Sequence, residues 1–378
     1  MRADSAVASP RIRLAVVAPS LRILGGHSVQ AARMLEGWAE SADVDAWLVP
    51  INPVPPGPFQ RLLDVKFVRT VATQLCYWPL LARELRRADV AHVFSASYTG
   101  FLLSTVPAMV VARALGKPVV LNYHSGHAPD HLAGSRFARA LLRHAADVIV
   151  VPSIFLFDVF RQFDLKSTVV FNSVDTPQFG YRARSPLRPH LLSTRNFEPL
   201  YNVSCTLRAF ARVQTRHPEA TLTLIGSGSQ DNALRELTRT LGLQNVTFVG
   251  RVHPRDMARY YADADVYVQT PSIDNMPLSV LEAFASGLPV VSTRVGGVPA
   301  ILTDQQHGLM ADDNDDAGIA GCVLQLLDNP ERARALAAHA FETLEAYEWT
   351  RVRDGWLSVY RQVAARASDR PMVRVETA

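Results

Sequence analysis

The chain has 378 residues, 48% of them apolar and 20% charged, with no low-complexity tract. That composition excludes collagen-like, coiled-coil and intrinsically disordered architectures, and the length sets two globular domains as the expectation. The formal net charge of +4 is uneven: 18 Lys and Arg stand against 13 Asp and Glu up to Gln178, and 21 against 22 after it, with the only lysines, Lys66, Lys117 and Lys166, all in the first half. A basic first half suits an anionic lipid surface or a phosphorylated acceptor. Nucleic acid is not expected as a partner, because no basic run interleaves with aromatics and no zinc-finger or RNA-binding signature is present.

The most apolar stretch, VIVVPSIFLF from Val148 to Phe157, is about half the roughly 20 residues a membrane-spanning helix needs, so no span is expected. The first residues, MRADSAVASPRIR, carry no apolar signal region, which points to the cytoplasm. The three cysteines, Cys76, Cys205 and Cys322, have neither zinc-site nor disulfide spacing and read as small buried side chains.

In chain order, RLAVVAPS (Arg13 to Ser20) reads as a strand, followed by the Gly25-Gly26 pair and a helical pattern. DVAHVFSAS, PVVLNYHS, DVIVVPS and STVVFNSVD are further strand candidates, with helical stretches between most of them. Between the first strands lies FQRLLDVKFVRTVATQLCYWPLLARELRR, Phe59 to Arg87, which mixes apolar and aromatic residues with arginines. It fits either a buried helix pair or a surface that meets a membrane. After Asp175, TPQFGYRARSPLRPH lacks apolar periodicity and reads as a linker. Five strand-like runs follow, in HLLSTRN, ATLTLIGSGS, NVTFVGRV, ADVYVQTPS and LPVVSTRVGG. Strands alternating with helices imply parallel sheets, so the expected fold is α/β, two doubly wound Rossmann-like domains over residues 1–178 and 179–354. The last segment places Trp349, Val352, Trp356, Val359, Tyr360 and Val363 at helical spacing.

Ligands of such sheets bind at the strand carboxyl ends, and three glycine turns follow strands there: Gly25-Gly26, Gly226-Ser227-Gly228 and Gly296-Gly297. None fits GxGxxG and no GxxxxGK[ST] occurs, which takes most of the support from nicotinamide cofactors and Walker-type ATPases. The most informative segment is SIDNMPLSVLEAFASGLPVVSTRVGGVP, from Ser272 to Pro299. Asp274 precedes a helix and Glu282 lies inside it, within the otherwise apolar LEAFA, where an unpaired carboxylate is costly and a diol such as a ribose could hydrogen-bond it.

This segment resembles the signature of glycosyltransferase family 4, retaining enzymes of the GT-B architecture, in which an acidic residue is followed by seven residues and then Glu. Gly25-Gly26, VVFNSVD, LIGSGS, FVGRV, ASGLPVV and the terminal helix match in the same order. The resemblance implies two domains facing a central cleft, with residues 355–378 crossing back to the first. It implies transfer of a sugar from a nucleoside-diphosphate sugar to a carbohydrate or lipid-linked acceptor hydroxyl, without metal or other cofactor. Cell-surface polysaccharide or glycolipid synthesis, at the inner membrane face, is the expected setting. By resemblance Glu282 binds the ribose, Asp274 with Asn275, Met276, Pro277 and Leu278 positions the donor sugar, and Arg195 binds the diphosphate. His124 faces the sugar from the first domain, and the backbone at Gly25, Gly26, Gly226, Gly228, Gly296 and Gly297 lines the donor site.

The chain departs from the pattern in three places. RNFEPLYNV (Arg195 to Val203) lacks the lysine that usually follows the arginine, leaving Arg22, Arg251 and Arg294 as candidates to replace it. Asp274 stands for the more usual glutamate, and Ala300 follows GGVP where glutamate is frequent. His127 and His131 share the loop of His124, but no ligand pattern completes a metal site. A catalytically silent nucleotide-binding module and a nucleotide-sugar epimerase remain as alternative readings.

Overall fold

The computed structural model describes residues 11–22 and 25–368. The chain divides into two compact units. Unit 1 holds the residues up to Pro152, Phe157–Val170 and those from Val352 on, and unit 2 holds Ser153–Leu156 and Phe171–Arg351. The division thus falls at residues 170 and 351, a few residues before the expected 178 and 354.

Unit 1 is built on β1 (Ile12–Ala18), β2 (Val44–Pro50), β3 (Val90–Ser95), β4 (Val119–Tyr123), β5 (Val148–Val151) and β6 (Thr168–Val169). They form one sheet in the order β2-β1-β3-β4-β5-β6, every pair parallel. Its central strands are covered on both faces, so Leu14 to Ala18 and every residue of β3 and β4 are buried, as the continuous apolar runs require. The strand order reverses between β1 and β3, with the Gly25-Gly26 turn following β1.

The terminal helix Trp349–Ser368 buries Val352, Trp356, Val359, Tyr360 and Val363, five of the six positions its spacing predicts, and from Val352 it belongs to unit 1. Trp356 stacks on Tyr360 and meets the His92 ring at 4.7 Å, while the Tyr360 hydroxyl bonds His92 Nδ1 at 2.7 Å. The helix Lys66–Arg87 is buried along only part of its surface. It buries Tyr77, Leu81 and Leu85 and leaves Phe67, Val71, Leu75 and Trp78 exposed.

Unit 2 carries β7 (His190–Ser193), β8 (Thr221–Ile225), β9 (Val246–Gly250), β10 (Val266–Gln269), β11 (Val290–Thr293) and β12 (Leu309–Ala311). The order β12-β11-β10-β7-β8-β9 is again parallel throughout and switches direction between β7 and β10. Apolar clusters lie on both faces. Val280, Leu281, Phe284 and Val298 gather in one, and Leu207, Phe210, Leu222 and Ile319 in the other.

The proline- and arginine-rich stretch after Asp175 is a fastened strap of unit 2. Phe179 enters the core, Arg184 is 1% exposed with its guanidinium donating to the carbonyls of Tyr261 and Ala264, and Arg188 Nε meets the buried Asp265 at 2.7 Å. Burial lowers the Arg184 pKa to about 10, so the side chain stays cationic at neutral pH. The linker expectation fails because guanidinium-to-carbonyl bonds leave no trace in apolar periodicity.

Candidate functional site

The switch point of the unit 2 sheet brings together two residues that the sequence separates by 79 positions. Arg195 leaves β7 and Asp274 sits in the loop after β10, the two strands between which the order reverses, and their side chains form a direct ion pair. Their side chains are only 10% and 12% exposed. Arg195 Nη1 donates to Ser279 Oγ at 3.0 Å, and its guanidinium lies over the Tyr201 ring, 4.1 Å from the centroid. Its Nε is buried and has no partner among the described residues. Burial works against the Arg195 charge, yet Asp274 and the surrounding phenols hold its pKa above the usual value. Burial likewise pushes the Asp274 carboxyl up, against the pull of Arg195 and the amide of Asn275. The residues expected to touch a diphosphate and a sugar thus touch each other, holding both charges ready in a place from which water is largely excluded.

Glu282 follows one helical turn later, in Leu278–Ala285, with Oε2 accepting a hydrogen bond from the Tyr261 hydroxyl at 3.0 Å. Burial and then Glu282 raise the Tyr261 pKa well above its ordinary value, so the phenol keeps its proton and remains a donor. Thr194 Oγ1 ties Tyr261 to Tyr267, at 2.9 and 3.2 Å. Asn275, Met276 and Pro277 are buried and Leu278 is half-buried, with the Ser153 hydroxyl on Asn275 Oδ1.

The glycine turns serve packing first. Gly297 donates its amide to the Asp274 carbonyl at 2.9 Å, and a Cβ there would run into the carbonyl oxygen of Asn275. Gly296, at φ +52, faces the Asp274 carbonyl in the same way. Gly226 and Gly228 let the β8 turn lie on the backbone at Arg195 and Phe197. The amides of Gly25 and Gly226 are taken by Ser28 Oγ and the Gly250 carbonyl. The exposed Gly296 amide has no partner among the described residues, and so is free to meet an anion. Replacing Gly297 with Ala should therefore push the Asn275 loop aside and lower unit 2 stability by about 1–3 kcal/mol, read as a drop in Tm with nucleotide binding lost in parallel.

In unit 1, His124 follows β4 with its ring beside Phe94 at 5.0 Å and His27 at 5.2 Å. His27 comes directly after the glycine pair; the residue is half-buried as a whole, but its ring packs against Phe94 and His124. Burial pushes His27 down to about 4 and, with the neighbouring histidines, holds His124 well below its ordinary range, so both are neutral imidazoles at pH 7. His131 bonds the Tyr123 hydroxyl through Nδ1 at 2.8 Å. Among the described residues no group of three or more His, Cys, Asp or Glu side chains could hold a metal ion.

Of the candidates for the missing lysine, Arg294 is bound to Asp304 at 2.8 Å, whereas Arg251 donates from Nε to Ser227 Oγ at 2.5 Å, on the Gly226–Gly228 turn, and has no carboxylate partner among the described residues. Tyr201, Tyr261, Ser279 and His27 were not singled out from sequence. Tyr201 and His27 could have been, since each lies within or beside a quoted motif.

Residues 24–178 match the model described as Glycosyltransferase Family 4, and residues 188–329 the one described as Glycosyl transferases group 1. The sulfoquinovosyl transferase SQD2 of Arabidopsis thaliana is 27% identical over 317 residues, 76% of this chain, which spans 60% of that protein's length. A D-inositol 3-phosphate glycosyltransferase of Nocardioides sp. is 26% identical over 360 residues, covering 84% of this chain and 77% of the relative. Among solved structures, sucrose-phosphate synthase from Thermosynechococcus elongatus superposes with a TM-score of 0.75 at 20% identity, over 94% of this chain and all of that one. Anabaena HepE in complex with UDP-glucose gives 0.74 at 16%, over 93% of this chain and all of that one. With both units matched by these models and a fold shared with GT-B proteins, the chain belongs to glycosyltransferase family 4.

Proposed function

We propose that this protein transfers a sugar, with retention of anomeric configuration, from a nucleoside-diphosphate sugar to an acceptor hydroxyl on a carbohydrate or a lipid-linked molecule. The setting we infer is cell-surface polysaccharide or glycolipid synthesis on the cytoplasmic side. The observation that carries the reading is the buried Arg195–Asp274 pair at the sheet's switch point, with Glu282 nearby on the helix Leu278–Ala285.

In this reading the bond from the anomeric carbon to the diphosphate oxygen breaks and its electron pair stays on the diphosphate. The acceptor oxygen bonds the same carbon from the leaving-group face, and its proton passes to a diphosphate oxygen. Arg195 and the free amide of Gly296 meet the charge that develops, and Arg251 supplies the second cation. Preorganised donors of this kind are each worth about 3–4 kcal/mol of barrier. Glu282, oriented by Tyr261, accepts from the ribose hydroxyls. Asp274 and the Asn275 to Leu278 backbone position the sugar. No step calls for a metal.

Thermal shift with UDP, GDP, ADP and TDP, each with and without EDTA, tests the donor site. At about a hundred times its Kd one of them should stabilise the protein by roughly 2.7 kcal/mol, indifferent to EDTA, with the shift lost in Glu282→Ala. Equal shifts in the variant would remove Glu282 from the site. Binding without turnover on any acceptor would favour a silent nucleotide-binding module, and a new sugar nucleotide formed from donor alone would mean epimerisation.

A further inference from the structure

The surface of unit 1 carries an apolar face that the donor chemistry does not use. In the helix Lys66–Arg87, residues Phe67, Val71, Leu75 and Trp78 follow one another by four, four and three positions, which sets them in one stripe along the helix. Phe67 is 81% exposed, Val71 60% and Leu75 71%. Tyr77, Leu81 and Leu85, on the adjoining stripe in the second half of the helix, fill the core, so this helix already has its intramolecular partner and the exposed stripe adds further apolar surface. Gln74 Nε2 donates to the Leu103 carbonyl at 2.9 Å and the Tyr77 hydroxyl to that of Ser104 at 2.9 Å, which lays the exposed Leu102 and Leu103 alongside. Ten of the sixteen large apolar side chains exposed among the described residues fall between Val65 and Val110, a clustering that scattered surface residues do not produce.

Charge identifies what covers the face. From Arg61 to Arg87 the sequence holds Arg61, Lys66, Arg69, Arg83, Arg86 and Arg87 against Asp64 and Glu84. Glu84 is buried and neutralised by Arg83 at 2.8 Å and Arg87 at 3.3 Å. A segment that is exposed, apolar along one stripe and cationic in sum, with Arg86 next to the stripe, matches a surface that is anionic outside and apolar beneath. The five consecutive exposed residues Phe67 to Val71 also make a protruding tip, which a fluid interior accepts and a flat protein interface does not.

We propose that this face docks the protein on an anionic lipid bilayer, with Phe67, Val71, Leu75 and Trp78 entering the headgroup boundary and the segment's arginines meeting lipid phosphates. The docking stands on the surface alone, so its failure would leave the donor reading intact. The whole chain is tested by sedimentation with vesicles of phosphatidylcholine alone and of phosphatidylcholine mixed with phosphatidylglycerol. Binding should be confined to the mixed vesicles and weaken as salt is added. The triple variant Phe67→Ser, Val71→Ser, Leu75→Ser should partition at least about tenfold more weakly at unchanged Tm. Arg69→Gln and Arg86→Gln should each cost about fivefold. The arginine variants keep the test decisive if the triple variant folds poorly. Absence of binding, or equal binding by every variant, overturns the proposal. So does a dimer in size-exclusion chromatography that the triple variant converts to monomer, which would make a second copy the occupant.

Discussion

Replacing Arg195 with Met should lower affinity for a nucleoside diphosphate by about a hundredfold or more, since a bidentate charged partner is lost. The same variant should destabilise unit 2 by about 3–5 kcal/mol, because the Asp274 carboxylate stays buried without its cation. The two effects separate in the double variant Arg195→Met, Asp274→Asn. Removing both charges should restore most of the stability and none of the affinity, as read by thermal melts and calorimetry with nucleotide and with the uncharged nucleoside. If affinity returned with stability, Arg195 would be serving only to neutralise Asp274, and the diphosphate would be bound elsewhere.

The second large effect concerns acid. His92 is fully buried between the Tyr360 hydroxyl on Nδ1 and the Asn122 amide, 3.1 Å from Nε2, and burial pushes its pKa to about 3. The folded state keeps the ring neutral while the unfolded chain takes a proton near the ordinary value of 6.5. The stability this neutral ring allows is therefore complete above that value and is lost as pH falls toward 3. The loss should run at about 1.4 kcal/mol per pH unit, or roughly 2 kcal/mol at pH 5. His27 and His124, also held low, steepen the slope. Amide hydrogen exchange in β3 and in the helix from Val352 should show protection falling between pH 6.5 and 4.5. In His92→Asn the starting protection is lower, but its pH slope should be shallower. An unchanged slope would place the acid sensitivity elsewhere.

The parts of the fold that were legible are those whose burial is two-sided. β1, β3, β4, β10 and β11 read as strands because their apolar runs are continuous. β2 and β12 were not read. Both are edge strands: VDAWLVP buries only Val44 and Val49, and LMA is three residues long. In the site, Glu282 stood out because a carboxylate inside an apolar helix is conspicuous, and Asp274 because it sits just before that helix, whereas Arg195 came only from the family resemblance. Tyr261 did not stand out, since MARYYAD looks like any half-buried helix and its bond to Glu282 crosses 21 residues. That Arg195 and Asp274 pair with each other was also beyond the sequence, because it follows from the strand order.

The terminal helix has a consequence for biosynthesis. Most of unit 1 is translated first, yet Trp356 and Tyr360, which pack on His92 and Trp38, and the buried Val359 and Val363 are translated after all of unit 2. At ordinary elongation rates the ribosome needs on the order of 10–40 s to travel from Val170 to Val352. Through that interval the nascent first unit lacks the helix that covers its apolar residues, while unit 2 acquires all six of its strands. The unit completed second on the ribosome is therefore the one begun first, and those apolar residues are where a chaperone would have to hold the growing chain.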